Sequence, residues 1–182
     1  MLPWYMLEGL DFACTGCSKC CKVKGTVTAT NEEVDAMAKV AGIPLDEFSQ
    51  LHVLRNDEEY ASLRSRRGFD GSETCTLLGE DGRCTVYDAR PLQCRTYPFW
   101  SELLSSREAW DREAVAPGSG TEGGSGSGGD GRRRWDAVRG GCEGINAGEG
   151  RVLGPVAALQ KLKQQQADRR LLRHLRTKID QS

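Results

Sequence analysis

The sequence predicts a small, irregular α+β fold, in which short helices and one β-hairpin surround a cysteine metal site and a C-terminal helix follows. Three observations support this prediction. The chain has eight cysteines in 182 residues, several of them closely spaced. Apolar residues make up only 38% of the chain and 22 residues are glycine, so the core must be small. The helix and hairpin signals are short, and a core of that size usually needs cross-links such as bound metal.

The densest group of cysteines lies in residues 14–21, which read Cys-Thr-Gly-Cys-Ser-Lys-Cys-Cys. A two-residue spacer lets one turn direct two thiolates at the same metal ion. Neighbouring side chains in an extended loop point apart, so Cys20 and Cys21 are poorly placed to share one tetrahedral ion. Either the two ligate different sites, or one of them is not a ligand.

A first helix is predicted after Thr30, which can cap it, with Glu33 three residues later as in a capping box. Gly42 and Pro44 end this helix. The apolar residues at helical spacing form its expected buried face, and they are Val34, Met37, Ala38 and Ala41.

A second short helix is predicted within residues 45–54, beginning near Asp46. Its buried face is expected to hold Phe48, Leu51 and Leu54. The charged residues 55–72 that follow carry no firm secondary-structure pattern.

Residues 74–87 predict the β-hairpin, because β-branched and aromatic residues flank a tight turn at Asp81-Gly82. This pairing would bring Cys75 and Cys84 close together, so that one ion or cluster could take both. The hairpin therefore supplies a second pair of candidate ligands.

A short helix that Asp88 caps is predicted next, with Pro91 in its first turn, and it carries Cys94 and ends before Pro98. Arg90 and Arg95 flank this cysteine. They either stabilise an anionic thiolate site or form structural pairs, and we favour the structural interpretation. A small aromatic core that shields the metal is expected from Tyr87, Tyr97, Phe99 and Trp100.

The remaining chain divides into three parts. Residues 117–131 are rich in glycine and serine and predict a flexible insertion. Residues 132–152, which place Cys142 in a glycine-rich corner, are assigned with residues 1–100 to the metal-binding domain. Residues 153–182 predict a basic amphipathic helix that could bind a protein partner.

Composition excludes several functional classes. The net charge of -1 gives no general attraction to nucleic acid or membrane. No apolar run approaches the roughly 18 residues that a membrane-spanning helix needs. The N-terminus lacks the pattern of a secretory signal, so we expect a reducing, intracellular setting, in which cysteine clusters bind metal rather than form disulfides.

Thiolates are soft donors that favour zinc, copper(I) or iron–sulfur clusters over calcium and magnesium. His52 and His174 are the only histidines, and each is interpreted as an ordinary surface or core residue, so the site is nearly all sulfur. Structural zinc usually uses two CxxC pairs, whereas this chain has one such pair followed by widely spaced cysteines. That layout favours an iron–sulfur cluster slightly over zinc.

Four segments together carry a resemblance to a known family. They are residues 12–21, residues 30–33, residues 75–99 and residues 142–150. With these segments the chain resembles the CxxCxxCC family of zinc- or iron-chelating domains. The resemblance implies a small cysteine-rich metal-binding domain, described also as an iron–sulfur protein. A flagellin lysine methylase is associated with the same domain, which implies an enzymatic alternative.

We therefore expect a metal- or iron–sulfur-binding protein that acts as a cluster-carrying or accessory subunit of a larger assembly. The alternative is a redox or protein-modifying enzyme that uses the cysteine-bound metal. An organelle, either chloroplast or mitochondrion, is the expected compartment. The candidate ligands are all eight cysteines, namely Cys14, Cys17, Cys20, Cys21, Cys75, Cys84, Cys94 and Cys142.

Overall fold

A computed structural model describes residues 2–57, 59–69, 72–119, 129–148 and 151–153, together with residues 160, 163 and 164. The helices are α1 Trp4–Glu8, α2 Asn31–Ala41, α3 Leu45–His52, α4 Leu92–Thr96 and α5 Arg107–Glu113. The strands are β1 Leu10–Phe12, β2 Thr28–Thr30, β3 Val53–Asn56, β4 Tyr60–Leu63, β5 Ser65–Arg67, β6 Glu73–Cys75 and β7 Arg151–Leu153. Lys19–Cys21 and Tyr87–Ala89 form 3-10 turns.

All the strand pairs are antiparallel, and they form three small sheets with the orders β2-β4-β3, β5-β6 and β1-β7. In the largest sheet Ala29 of β2 lies opposite Ala61 of β4, and both are buried. A register shift between Val53 and Arg55 bends β3 at the sheet edge. These short elements confirm the predicted small, irregular α+β fold.

The capping box of α2 is confirmed. The Thr30 hydroxyl accepts from the Glu33 N–H at 3.1 Å, and the Glu33 carboxylate accepts from the Thr30 N–H at 3.1 Å. Gly42 ends the helix in the left-handed conformation. The predicted apolar face is buried at Val34, Met37 and Ala38, whereas Ala41, in the last turn, is exposed.

The predicted buried face of the second helix is correct for Phe48, which is fully buried. It is wrong for Leu51 and Leu54. Leu51 is 51% exposed and Leu54 is 63% exposed. Leu51 is exposed although it lies within α3, whereas the exposure of Leu54 follows from the end of α3 at His52, because Leu54 lies on the exposed part of edge strand β3. Strand periodicity replaces helical periodicity there, so the helical spacing no longer identifies the buried face.

Residues 55–72, which show no firm pattern in the sequence, contain the central strand β4 and the strand β5. In β4 buried and partly buried residues alternate. Ala61 and Leu63 are buried, whereas Tyr60 and Ser62 are only partly buried. Such a short alternation among charged residues is too weak to identify a strand by itself.

The predicted hairpin needs correction. Cys75 ends β6 and pairs with Ser65 of β5, not with the segment after the turn. Around the turn an isolated bridge joins Leu78 to Cys84, and the Gly79 and Thr85 N–H groups donate to the Arg83 and Leu77 carbonyls at 2.8 and 2.9 Å. The tight turn itself is present, and Gly82 adopts a φ of 76° there.

The predicted cap of the helix that carries Cys94 is wrong as well. Pro91 occupies the N-cap of α4, and Asp88 lies in the preceding 3-10 turn.

Two hydrophobic cores organise the described residues. The first core consists of Tyr5, Leu10, Phe99, Leu104, Trp110, Ala114, Cys142 and Ile145. The second core consists of Ala29, Val34, Met37, Ala38, Phe48, Val53, Ala61, Leu63, Leu77 and Val86. Residues 101–116 thus supply part of the first core, including Trp110.

Most of the predicted C-terminal helix and most of the glycine–serine segment lie outside the described residues, and Leu153, the first residue of that predicted helix, belongs to β7 instead. Among the residues that are described, none belongs to a helix long and apolar enough to cross a bilayer.

Candidate metal centre

The loop that begins with Cys14 is held by the segment that follows Cys142. The Ala13 N–H donates to the Gly144 carbonyl at 3.0 Å, and Phe12 forms a bridge with Ile145. The two backbones are so close that a Cβ on Gly144 would lie 1.9 Å from the Ala13 carbonyl oxygen. Only glycine fits at this position, and the pairing places Cys14 beside the Cys142 segment.

Cys142 is itself fixed by α5 and the residues after it. Its N–H donates to the Glu113 carbonyl at 2.8 Å, and its carbonyl accepts from the Val115 N–H at 3.1 Å. Gly141 has a φ of 136°, and a Cβ there would lie 2.3 Å from Val115 Cγ1. The predicted glycine-rich corner therefore exists, and it places Cys142 at the edge of the first core.

Cys20 and Cys21 lie in the 3-10 turn that follows Ser18, which adopts a left-handed φ of 57°. An ion pair anchors this turn, because Lys19 Nζ donates to Glu143 Oε1 at 2.8 Å. Glu143 Oε1 also accepts from the Gly118 N–H at 2.7 Å. The cysteine-bearing turn is thereby held against the residue that follows Cys142.

Cys75 and Cys84 are half-buried against the second core. The Leu78 N–H donates to the Cys75 carbonyl at 3.1 Å, and Leu78 bridges to Cys84. Burial raises the pKa of the Cys75 thiol, and the neighbouring Cys84 raises it further. The predicted proximity of these two cysteines therefore holds, although a turn rather than a hairpin produces it.

Cys94 lies in α4, and the carboxylate of Glu33 attaches this helix to α2. Glu33 Oε1 accepts from the Leu92 N–H at 2.8 Å and from Arg95 Nη2 at 3.2 Å. Burial first, and then the nearby Cys20 among other cysteines, raises the pKa of the Cys94 thiol to about 12. Arg95 therefore has the structural role that the sequence favoured, since it pairs with Glu33.

The surroundings of Cys20 favour its thiolate form. A hydrogen bond from the Cys21 side chain, opposed by burial and assisted by Arg90, lowers the pKa of Cys20 to about 7. The same hydrogen bond, with burial, raises the pKa of Cys21 well above its ordinary value. The Arg90 guanidinium lies 3.6 Å from the centre of the Tyr87 ring. A fixed cation of this kind favours a thiolate nearby.

Electrostatic contacts connect the cysteines to one another. Burial, and then the nearby Cys17, Cys20 and Cys14, raises the pKa of the Cys142 thiol to about 12. Cys20 in turn influences Cys75, Cys84 and Cys94. All eight cysteines are free thiols, and they come from five separate segments of the chain.

The donor set fits a soft metal or an iron–sulfur cluster, because it consists of thiols without competing oxygen ligands. Within the described residues, no three His, Cys, Asp or Glu side chains already converge on one point. A metal would therefore draw the thiols together from their neighbouring positions, since metal binding and local folding are coupled at such sites.

The other candidate residues have structural surroundings. His52 Nδ1 lies 3.0 Å from Thr76 Oγ1, its ring contacts Phe48, and burial lowers the pKa of the imidazole. His174 lies outside the described residues. Phe99 is buried as predicted, but Tyr87 is 51% exposed and does not belong to the aromatic core.

Sequence reasoning missed a half-buried acid–phenol pair beside the thiols. Tyr97 donates its hydroxyl hydrogen to Glu113 Oε1. Burial and the Glu113 charge raise the pKa of Tyr97, and the nearby Cys142 adds to this effect. Burial also raises the pKa of Glu113. The only signal in the sequence is a tyrosine close to Cys94, which does not reveal a partner 16 residues away.

A comparison with protein-family models gives one match, which spans residues 13–116 and is described as a "putative zinc- or iron-chelating domain". This chain belongs to the CxxCxxCC family. The match covers more than half of the chain and includes every cysteine of the candidate site except Cys142. No solved structure matches the chain. Membership of the CxxCxxCC family supports zinc or iron chelation by this domain and does not distinguish an ion from a cluster.

Proposed function

We propose that this protein binds a metal through its eight cysteines and acts as a cluster-carrying or accessory subunit of a larger assembly. The observation that carries the proposal is a set of eight free thiols in a chain that matches a zinc- or iron-chelating domain, with Cys142 in the first core and Cys75 and Cys84 packed against the second. The ligands would be Cys14, Cys17, Cys20, Cys21, Cys75, Cys84, Cys94 and Cys142.

An iron–sulfur cluster is favoured over zinc for two reasons. Clusters accept thiolates from several segments, as this fold offers, whereas structural zinc sites usually use paired CxxC motifs. A cluster, when bound, would supply one-electron redox chemistry. The chain's own contribution would be to hold the thiolates, partly exclude water from them and offset their negative charge with Arg90.

The metal is tested by anaerobic purification of the full chain, followed by elemental analysis and a visible spectrum. Stoichiometric iron with sulfur-to-iron charge-transfer absorption supports a cluster. A colourless protein with stoichiometric zinc retains metal binding and excludes the cluster. The absence of any bound metal would contradict the proposal. Thr15→Ala is the matched control, because Thr15 is an exposed residue between two candidate ligands.

Two features of the sequence support the accessory role. It contains no recognisable set of catalytic residues, and the basic segment 153–182 could bind a partner. The test of this role is removal of residues 154–182, which leaves Arg151–Leu153 in place to pair with β1. The truncated protein should keep its metal content and lose association with its assembly, measured by size-exclusion chromatography of native extracts. Association that survives the truncation would contradict this role for the segment.

An enzyme that uses the cysteine-bound metal is the second candidate, and the exposed Cys20 favours it. A lowered pKa and exposure are the usual features of a reactive cysteine. Alkylation of the metal-loaded protein with iodoacetamide separates the two candidates. Modification of Cys20 would identify an unliganded thiol and favour the enzyme, whereas protection of Cys20 would identify it as a ligand and favour the binding protein.

A further inference from the structure

We propose that an exposed apolar face of α2, α3 and β3 is the docking site for this chain's own C-terminal segment, residues 154–182. The side chains that define the face are Val40, Leu45, Leu51 and Leu54. This inference does not depend on a bound metal. It adds to the proposed function, because binding of the segment to an assembly would require its release from this face.

The face consists of apolar side chains that belong to the elements around the second core and are not covered by it. The four side chains are between 47% and 63% exposed. Val40 lies in the last turn of α2 and Leu45 begins α3, and these two helices pack against each other. Leu51 lies near the end of α3, which packs against β3 and its Leu54. Exposed apolar side chains on adjoining elements are typical of a surface that another segment covers.

Carboxylates on or next to the same elements make this part of the protein strongly negative. Residues 31–59 contain eight acidic and two basic residues, a net charge of -6 in a chain whose total is -1. Both basic residues are already paired, Lys39 with Asp35 and Arg55 with Asp57. Among the described residues no cation pairs with the other exposed carboxylates, which are Glu32, Asp46, Glu47 and Glu59.

The C-terminal segment has the complementary composition. Residues 154–182 contain seven basic and two acidic residues, a net charge of +5. The leucines of the amphipathic helix that the sequence predicts there, among them Leu162, Leu171 and Leu175, could cover the apolar face. Its lysines and arginines would then meet the carboxylates. At physiological salt such charges attract one another over a distance of about 8 Å.

The segment can reach this face from its own chain. β7 pairs with β1 and so fixes the start of the segment at Leu153, after which 29 residues follow. A helix of that length extends about 44 Å, comparable with the diameter of a domain of this size. Attachment to the same chain gives an effective concentration that is roughly millimolar, which favours this occupant over a segment of another molecule. Gln160, Lys163 and Gln164 are exposed, so they would face the solvent in the docked segment.

Carbodiimide cross-linking of the full-length protein tests the docking, because the reagent joins a carboxylate to a lysine only when the two are in contact. In the monomeric fraction, mass spectrometry should find Asp46 or Glu47 joined to Lys161 or Lys178, and high salt should abolish these links. The absence of any link between residues 31–59 and residues 154–182 would overturn the proposal. Links confined to a dimeric fraction would also overturn it, and they would identify a second copy of the chain as the occupant.

Hydrogen exchange of residues 154–182 gives an independent measurement. Exchange should be slow in the wild type and about tenfold faster when Asp46→Lys and Glu47→Lys are combined. A second variant, which combines Leu51→Gln with Leu54→Gln, should have the same effect because it removes apolar contact without changing the charge. All four residues are exposed, so the fold should be retained. Wild-type exchange in both variants would contradict the docking.

A charge swap separates docking from a general effect of the substitutions. Adding Arg169→Glu and Arg170→Glu to the variant with two new lysines should restore slow exchange. Glu80→Lys, which changes an exposed carboxylate outside residues 31–59, should leave exchange as in the wild type. Fast exchange that persists in the swapped protein would overturn the charge pairing. Metal content measured on the same samples shows whether metal binding, and with it the proposed function, fails separately from docking.

Discussion

Lys19 and Glu143 form an ion pair between parts of the chain that are 124 residues apart. The Lys19 Nζ atom lies 2.8 Å from Glu143 Oε1, and the side chains are only 13% and 8% exposed. Each residue is next to a candidate ligand, Cys20 in one case and Cys142 in the other. The pair therefore closes the long loop that joins the cysteine run to the last cysteine.

Replacing Glu143 by alanine should lower the free energy of unfolding by about 2 kcal/mol, because it leaves the Lys19 ammonium and the Gly118 N–H without their acceptor. The change should be measured by urea denaturation of the metal-free protein.

The control for that experiment is Asp35→Ala, which removes the exposed ion pair between Lys39 and Asp35. Exposed pairs of this kind contribute about 0.5 kcal/mol or less. Equal effects of the two substitutions would show that the Lys19–Glu143 pair does not secure the cysteine loop.

Gly144→Ala should destabilise the protein by more than about 2 kcal/mol, because the added methyl group would overlap the Ala13 carbonyl and separate the paired backbones. Metal content should fall as well, since the loop that holds Cys14 would move. Gly129→Ala is the control, because nothing lies within 4 Å of a Cβ at that position. Thermal unfolding measures both variants, and an unchanged melting temperature for Gly144→Ala would contradict the close packing of these segments.

Cys20 should be alkylated in the metal-free protein with a pH midpoint near 7. The thiolate is the reactive form, so the rate rises as pH increases through that value. The Cys94 and Cys142 thiols, with pKa values of about 12, should react only at much higher pH.

The ionisation of Cys20 should also stabilise the folded protein, because its folded-state pKa lies below its ordinary 9.0. This stabilisation is complete above pH 9 and is lost as the pH falls through 7.

The same measurement on two variants identifies the causes of the lowered pKa. Cys21→Ala, which removes the hydrogen bond to Cys20, should raise the alkylation midpoint most, and Arg90→Gln should raise it less. Lys24→Gln serves as a charge-removal control and should leave it unchanged. A midpoint that does not move in Cys21→Ala would contradict the side-chain hydrogen bond.

Metal binding should release protons at neutral pH. Burial raises the pKa of Cys94 and Cys142 to about 12, so these thiols are protonated before a metal binds and must ionise to become ligands. The affinity for Zn(II) should therefore fall steeply as the pH is lowered from about 8 to about 6. Calorimetry in buffers of different ionisation enthalpy counts the protons, and an affinity independent of pH would contradict thiol ligation.

Local signals in the sequence were enough to predict part of the fold. The capping box from Thr30 to Glu33 depends on residues three apart, and the turn at Gly82 depends on one backbone conformation. Leu54 was predicted wrongly because the chain changes from helix to strand after His52, whereas Leu51 is exposed although it lies within α3. No local pattern reports that change.

The sequence marks the eight cysteines as candidate ligands, but it does not give their arrangement. Thiol chemistry and spacing mark the cysteines individually. The pairing of residues 11–13 with residues 144–146, and the contact between Lys19 and Glu143, join distant parts of the chain. Such long-range contacts depend on the packing of both cores, and no short motif encodes them.

We expect thiolates alone to hold the metal. X-ray absorption at the metal edge of the anaerobically purified protein tests it most directly, because sulfur and nitrogen or oxygen ligands differ in distance and scattering. We expect a first coordination shell of sulfur only, at about 2.3 Å from zinc or a comparable distance from iron. A shell that contains nitrogen or oxygen ligands, or a protein without bound metal, would contradict the assignment of the eight cysteines as the metal ligands.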